Sequence, residues 1–229
     1  MDFSIILPAF NEAENLALLL KDLKGEADKL NVRYELIVVD DGSADNTQEV
    51  LQALKKEVPE LKGLIMESNS GFSTAVLAGL KASVGDILGF MDADGQVEAK
   101  YMVQAYLKLK AENLDLIKGI RIERYDGIRR FILSKIYNIF FNLMFGGSFQ
   151  DIGGKPKILT RSLYNNLNLE AKGWFIDNEI MIKAIKGKYK IGELPIIFLK
   201  RKKGASKIHF LAVLEYFRDM IYWRFFKKF

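Results

Sequence analysis

The chain contains no cysteine and a single histidine, His209, among 229 residues. The first absence excludes disulfides and thiolate-held metals, and the second excludes a zinc centre built from several histidines. Any bound metal must therefore be a hard cation held by oxygens. Long apolar runs are missing as well. The uncharged stretch Ile136–Gln150 covers 15 residues, short of the roughly 20 that span a bilayer. The opening MDFSIILPAF has no positive charge ahead of its short apolar run and does not read as a signal peptide. There are no internal repeats and no low-complexity linkers.

With 49% hydrophobic and 28% charged residues, the chain can bury a substantial core. Its net charge of +5 is unevenly spread: residues 183–229 hold 13 Lys and Arg against 3 Asp and Glu, a net +10, which leaves −5 for residues 1–182. A basic end of this kind seeks phosphate, lipid headgroups or nucleic acid. The expected organisation is one domain over 1–207 followed by an amphipathic, basic helix over 208–229.

Apolar runs and helical periodicity alternate in the first half. Phe3–Leu7, Tyr34–Val39, Leu64–Met66, Ile87–Met91 and Leu114–Ile117 read as strands, and segments near 12–30, 45–57, 72–83 and 97–112 as helices. This order predicts an α/β fold with a mixed, mostly parallel sheet and helices on both faces, whose ligands gather at the carboxyl ends of the strands. Acidic segments sit at those ends: PAFNE (8–12), DDGSAD (40–45) and DADGQ (92–96). Further on, Arg129–Phe145 reads as an apolar, aromatic-rich helix, buried or interfacial. The segment Ile208–Phe229 reads as an amphipathic helix suited to a membrane surface, or to ordinary core or dimer packing.

Asp92 and Asp94 lie two residues apart beyond a buried strand. A calcium-binding EF-hand loop is excluded, because counting from Asp92 puts Val97 where the sixth-position Gly is required and Val103 where the twelfth-position Glu is required. An Asp-Gly turn remains the simple alternative. A metal that keeps positions open for phosphate oxygens needs only one or two carboxylates, and Gln96 adds a neutral oxygen. Asp40 and Asp41 repel each other at a sheet edge unless a cation or hydrogen-bond donors offset them, whereas Asp45 reads as a helix cap.

LPAFNEAENL, VVDDGSADNT, NSGFSTAVLAGLKASVGDILGFMDADGQ and GELPIIFLKRKKGASK together resemble the family 2 glycosyltransferases, and within them polyprenyl-phosphate sugar synthases of the dolichyl-phosphate mannose synthase kind. The resemblance runs over roughly residues 3–207. It implies a GT-A fold, a nucleotide-sugar donor, Mg²⁺ or Mn²⁺ as cofactor, and inversion at the anomeric carbon. By the resemblance, Pro8, Phe10, Glu12 and Asp41 contact the nucleoside with Asp40 beside them, and Asp92, Asp94 and Gln96 hold the metal on the diphosphate. Asn69 and Gly71 match the family's N-x-G segment. Arg121, Arg130 and Ser134 fall near its R…R…S pattern, with Arg129 as a rival to Arg130, and Arg201, Ser206 and Lys207 match the closing R-x-x-G-x-S-K. Cations behind a glycine suit a diphosphate; a solvated basic loop is the alternative.

One motif departs from the family. Where mannose synthases carry D-x-x-S-G-F-R, this chain has DIGGKPK (151–157) in the region that faces the acceptor. Lys155 is the candidate replacement for the missing Arg, with a plain turn lysine as the alternative. Asp177 and Glu179 open a helix and read first as an N-cap and a favourable first-turn acid. In hydroxyl-accepting relatives an acid in this neighbourhood is the general base.

The expectation is transfer of mannose from GDP-mannose to a polyprenyl or dolichyl phosphate, with the protein cytoplasmic and peripheral on a membrane and an integral-membrane partner as a further candidate. The alternative is a UDP-sugar donor with a saccharide hydroxyl acceptor. A more remote alternative is a non-catalytic module that binds a nucleotide, or nucleic acid through its basic end; nucleic-acid binding does not suit an acidic cleft, and a sugar nucleotidyltransferase would carry a Gly-rich phosphate loop where PAFNE stands.

Overall fold

The computed structural model describes residues 1–125, 127–201 and 210–227; at positions 124, 129, 130 and 210–214 only the backbone is described. Among the described residues seven strands form one sheet: β1 (Phe3–Ala9), β2 (Tyr34–Asp40), β3 (Leu61–Ile65), β4 (Ile87–Phe90), β5 (Leu116–Arg124), β6 (Lys157–Thr160) and β7 (Ile191–Phe198). Their order across the sheet is β3-β2-β1-β4-β6-β5-β7. β6 runs antiparallel to β4 and β5, while the other pairings are parallel.

β1, β2 and β4 are buried along their whole length, as expected for central strands covered on both faces. Alternation sends Ile5, Leu7, Leu36 and Val38 to one core and Ile6, Ile37 and Val39 to the other. The first core is closed by α1 (Ala13–Ala27), α2 (Thr47–Leu54) and α4 (Lys100–Ala111). On α1 the buried Leu16, Leu19, Leu20, Leu23 and Ala27 repeat at helical spacing. The second core takes α3 (Phe72–Ala82), α5 (Ile128–Phe145), α6 (Arg161–Leu167), α7 (Ile176–Lys186) and α8 (Phe210–Phe225).

This architecture is the α/β, mostly parallel one that the sequence predicts, with three elements more. β6, α6 and β7 were not expected as such. The C-terminal helix α8 is also no detached appendage: Met220 and Trp223 are buried in the second core, and Tyr216 and Phe217 meet Tyr137 edge-on across the α5–α8 contact. The expected boundary at 207 falls outside the described residues. Among the described residues, no helix is long and apolar enough to cross a membrane.

The register sets the site. Ala9 pairs with Asp40 and Ile6 with Phe90, so the loops after β1, β2 and β4 leave from one edge. β5 and β7 point the same way, which brings Arg121 and the residues after Phe198 to that edge. Because β6 runs backwards, its beginning, with Lys155 just ahead of Lys157, arrives there too.

Candidate active site

The edge encloses a cavity of about 510 Å³, a size typical of small-molecule sites. Pro8 near the end of β1, Phe10 and Glu12 from the loop after it, Asp41 from the loop after β2, and Asn69 and Gly71 before α3 line it. Asp45 fastens two of these segments: its carboxylate accepts from Thr47 N at 3.0 Å and from Ala13 N at 3.3 Å, at the starts of α2 and α1. It acts as the expected cap, though Asn46 holds the formal capping position of α2.

Asp41 accepts from Ser70 N at 2.7 Å and from Gly71 N at 2.9 Å, which fixes the loop before α3 against the second loop. The approach depends on Gly42, whose φ is +71° and whose added Cβ would lie 2.6 Å from Ser68 C. Only glycine combines that backbone with that contact. Asp40 does not reach the cavity wall. It is fully buried and its Oδ1 accepts from Ser43 N at 3.0 Å, making it a turn residue, while its buried Oδ2 has no hydrogen-bond partner among the described residues.

Asp92, Asp94 and Gln96 lie on the cavity wall. Burial pushes the Asp92 carboxyl up, only partly opposed by Lys155. Burial and then the neighbouring Asp92 charge raise Asp94 to about 6. Two acids this strained by burial and mutual repulsion form a site short of positive charge. Asp94 Oδ1 accepts from Gln96 N at 3.0 Å, and Asp94 Oδ2 accepts from Arg201 Nη2 at 2.7 Å. Arg201 also donates from Nη1 to Glu12 Oε1 at 3.1 Å. The Gln96 amide donates to Leu199 O at 2.9 Å, and Leu199 N returns a bond to Gln96 O at 2.9 Å, joining the end of β7 to this loop.

Arg121, Gly153, Lys155 and Asp177 also line the cavity. Arg121 clasps Asp151 through Nε at 2.6 Å, through Nη2 and through its own backbone N–H at 3.0 Å. Burial opposes the Asp151 charge, but Arg121 outweighs it and holds that carboxyl down at about 2. Asp177 lies between two lysines, 2.5 Å from Lys155 Nζ and 2.7 Å from Lys157 Nζ. Burial would raise Asp177, yet the two cations prevail and lower it. Lys155 is kept charged against burial by Asp177 and Asp92, and rests over the rings of Phe72 and Phe90. Asp177 is not the expected N-cap, since Phe175 holds that position and makes no side-chain cap bond.

Two further candidates lie away from this cavity. Glu179 is fully buried away from the cavity and accepts from Glu170 N, from Ala171 N and from Lys183 Nζ, so it fastens a loop to α7. Ser134 lines a second cavity between α5 and β5, which among the described residues shares only Arg121 with the first. The Arg130 side chain, Ser206 and Lys207 lie outside the described residues. Conversely, Phe72, Trp174, Phe198 and Tyr216 line the first cavity without having been singled out. Phe72 and Trp174 stack with centroids 5.4 Å apart; the aromatic start of WFIDNE was the available signal.

An acid-lined crevice at the carboxyl ends of a mostly parallel sheet, faced by arginine and lysine, defines a class of site for phosphorylated ligands. The family model for glycosyl transferase family 2 matches residues 4–170, and the chain belongs to that family of glycosyltransferases. Similar proteins include the undecaprenyl-phosphate 4-deoxy-4-formamido-L-arabinose transferases of Pectobacterium carotovorum subsp. carotovorum, 26% identical, and of Photorhabdus laumondii subsp. laumondii, 29% identical. Each match runs over 220 residues, 95% of this chain and 66% of the relative. The chain thus spans just under two thirds of their length. Among solved structures, glucosyl-3-phosphoglycerate synthase from Mycobacterium tuberculosis in complex with Mn²⁺, UDP-glucose and phosphoglyceric acid has a TM-score of 0.73 at 21% identity, over 96% of this chain and 77% of that one. The same enzyme with Mn²⁺, UDP and phosphoglyceric acid gives 0.71. These likenesses speak for the fold.

Proposed function

We propose that the protein transfers a sugar from a nucleoside-diphosphate donor to a polyprenyl monophosphate at a membrane surface. The observation that carries this reading is the clamp on Asp177. In hydroxyl-accepting family members an acid of this neighbourhood takes the acceptor proton, but here it is bound to Lys155 and Lys157 and its pKa is lowered. A carboxylate so stabilised is a poor general base. The nucleophile must then bring its own negative charge, as a phosphate monoester does at neutral pH. The names of the undecaprenyl-phosphate transferases support the same acceptor class.

On the donor side, Asp41 and the loop it fixes receive the nucleoside, and Arg201 neutralises the diphosphate as it leaves. Asp92 and Asp94, with the Gln96 oxygen, fit a divalent ion: the donors are all oxygen, and burial leaves the two acids in need of a cation. Mg²⁺ or Mn²⁺ held there would stabilise the charge developing on the leaving phosphate. On the acceptor side, Lys155 and Arg121 present the cations that the missing R of the family motif would supply.

The donor is a UDP- or GDP-sugar. GDP-mannose is the expectation from the mannose synthase resemblance, while UDP is the nucleotide held by the similar crystal structures. Membrane docking falls to α5, where Ile128, Ile132, Ile136, Ile139 and Leu143 form a stripe at helical spacing, each at least 51% exposed. Beside it α8 exposes Ile221, Tyr222 and Phe225, followed by the exposed Phe226, with Arg224 in its last turn. An apolar face next to basic residues suits the headgroup boundary.

A thermal-shift panel of UDP- and GDP-sugars with Mg²⁺ or Mn²⁺ tests the donor half. One nucleotide class should raise the melting temperature only with the metal, and Asp92→Ala should lose that dependence. A variant that keeps it would contradict the metal assignment.

A further inference from the structure

Arg201 holds carboxylates from two different loops of the cavity lining. Its Nη2 lies 2.7 Å from Asp94 Oδ2 and its Nη1 lies 3.1 Å from Glu12 Oε1. The other Asp94 oxygen accepts from Gln96 N at 3.0 Å. Both oxygens of a proposed metal ligand are therefore engaged, one of them by a fixed positive charge.

The placement is built rather than accidental. Two residues before Arg201, Leu199 exchanges two hydrogen bonds with Gln96 of the same acidic loop. Glu12, buried and itself accepting from Asn15 Nδ2 at 2.7 Å, holds the second arm of the guanidinium. The planar guanidinium gives each carboxylate its own nitrogen in a fixed fork, whereas a lysine would have to serve both from a single nitrogen.

We propose that in the nucleotide-free protein Arg201 stands in for the cation at Asp94, so that a divalent ion is taken up together with a nucleotide diphosphate rather than ahead of it. The inference rests on the reading of Asp92 and Asp94 as metal ligands. A diphosphate offers Arg201 a new bidentate partner. When Arg201 turns to it, Asp94 Oδ2 becomes available, and Glu12 keeps the arginine within reach of both positions. Metal affinity in the absence of nucleotide is thereby reduced by the fraction of molecules in which Asp94 is released.

The test is titration of the full chain with Mn²⁺ alone, reading free Mn²⁺ by electron paramagnetic resonance, for the wild type, Arg201→Gln and Arg201→Lys, and again with saturating UDP or GDP. Both variants should bind Mn²⁺ alone roughly tenfold more tightly than the wild type, the scale of one charge-assisted hydrogen bond to a partly buried acid. The diphosphate should then tighten Mn²⁺ binding more in the wild type than in either variant. Arg201→Lys separates the proposal from a simple field effect, because it keeps the charge and loses the fork. If it binds Mn²⁺ as the wild type does, the stand-in role is overturned. If the wild type and Arg201→Gln bind Mn²⁺ alone equally, the role is overturned while the metal assignment stands. Absence of Mn²⁺ binding in every variant, with or without diphosphate, removes the metal assignment and this inference with it.

Discussion

Lys118 of β5 and Lys157 of β6 are direct cross-strand partners, and both side chains are fully buried. Their ammonium groups hold the segment before β6 by its main chain. Lys118 donates to Gln150 O and to Asp151 O, the latter at 3.3 Å, and pairs with Glu193 at 2.7 Å; Lys157 donates to Ile152 O at 3.0 Å and pairs with Asp177. Burial draws Lys157 down to about 8, which leaves it largely charged at pH 7. The segment that departs from the family motif is thus suspended from two buried cations.

Replacing Lys157 by Met strands the Ile152 carbonyl and leaves Asp177 to Lys155 alone. Removing one partner of a buried pair typically costs 3–5 kcal/mol, and with Lys155 still in place a loss of about 2–3 kcal/mol is expected. Urea unfolding followed by tryptophan fluorescence measures it.

The Arg121–Asp151 pair predicts an acid dependence of stability. The Asp151 pKa is lowered on folding from the ordinary 3.8 to about 2, so the unfolded chain binds the proton more readily. Its contribution is complete above about pH 4 and is lost as pH falls through about 2, a change of about 2 kcal/mol. The stability difference between the wild type and Asp151→Asn should shrink by that amount between pH 5 and pH 2 in urea titrations.

Gly42→Ala should damage both fold and site. The left-handed backbone and the contact 2.6 Å from Ser68 C both oppose a side chain, at a cost of about 2 kcal/mol or more. Because the same contact lets Asp41 hold Ser70 and Gly71, nucleotide affinity should fall along with the melting temperature. An unchanged dissociation constant in a destabilised protein would separate Asp41 from nucleotide binding.

If the acceptor phosphate supplies the nucleophilic charge, the ascending limb of kcat/KM against pH follows the second ionisation of the acceptor, near pH 6 for a phosphate monoester. A difluoromethylenephosphonate acceptor, which ionises at lower pH, should move that limb downward. A limb that stays in place would belong to an enzyme group.

Much of the fold is legible because β1, β2 and β4 are buried on both faces, which forces continuous apolar runs that end in acids. β6 is only four residues long and begins with a lysine, and β7 carries Glu193 and Pro195 at the sheet edge, where a missing N–H is tolerated. Neither pattern announces a strand. In the site, Asp41, Asp92 and Asp94 share one edge because their loops follow parallel strands, which the alternation of strands and helices predicts, whereas Arg201, beyond β7, was legible only through the family resemblance. Which of two adjacent acids turns inward is decided by packing, so Asp40 became a buried turn residue and Glu179 a loop fastener. The lysine clamp on Asp177 needed β6 to run backwards, and no local spacing encodes that.

The central claim is that the acceptor brings its own charge, and the most direct measurement compares two acceptors that differ only in the phosphate group that carries it. With a labelled donor sugar and a divalent ion, transfer to a polyprenyl phosphate and to the corresponding polyprenol is measured in the same detergent, with a soluble saccharide alongside. Transfer to the phosphate, with the alcohol and the saccharide at background, is the predicted result. Comparable transfer to the polyprenol or the saccharide would show that a base does act in this site and would contradict the reading of Asp177.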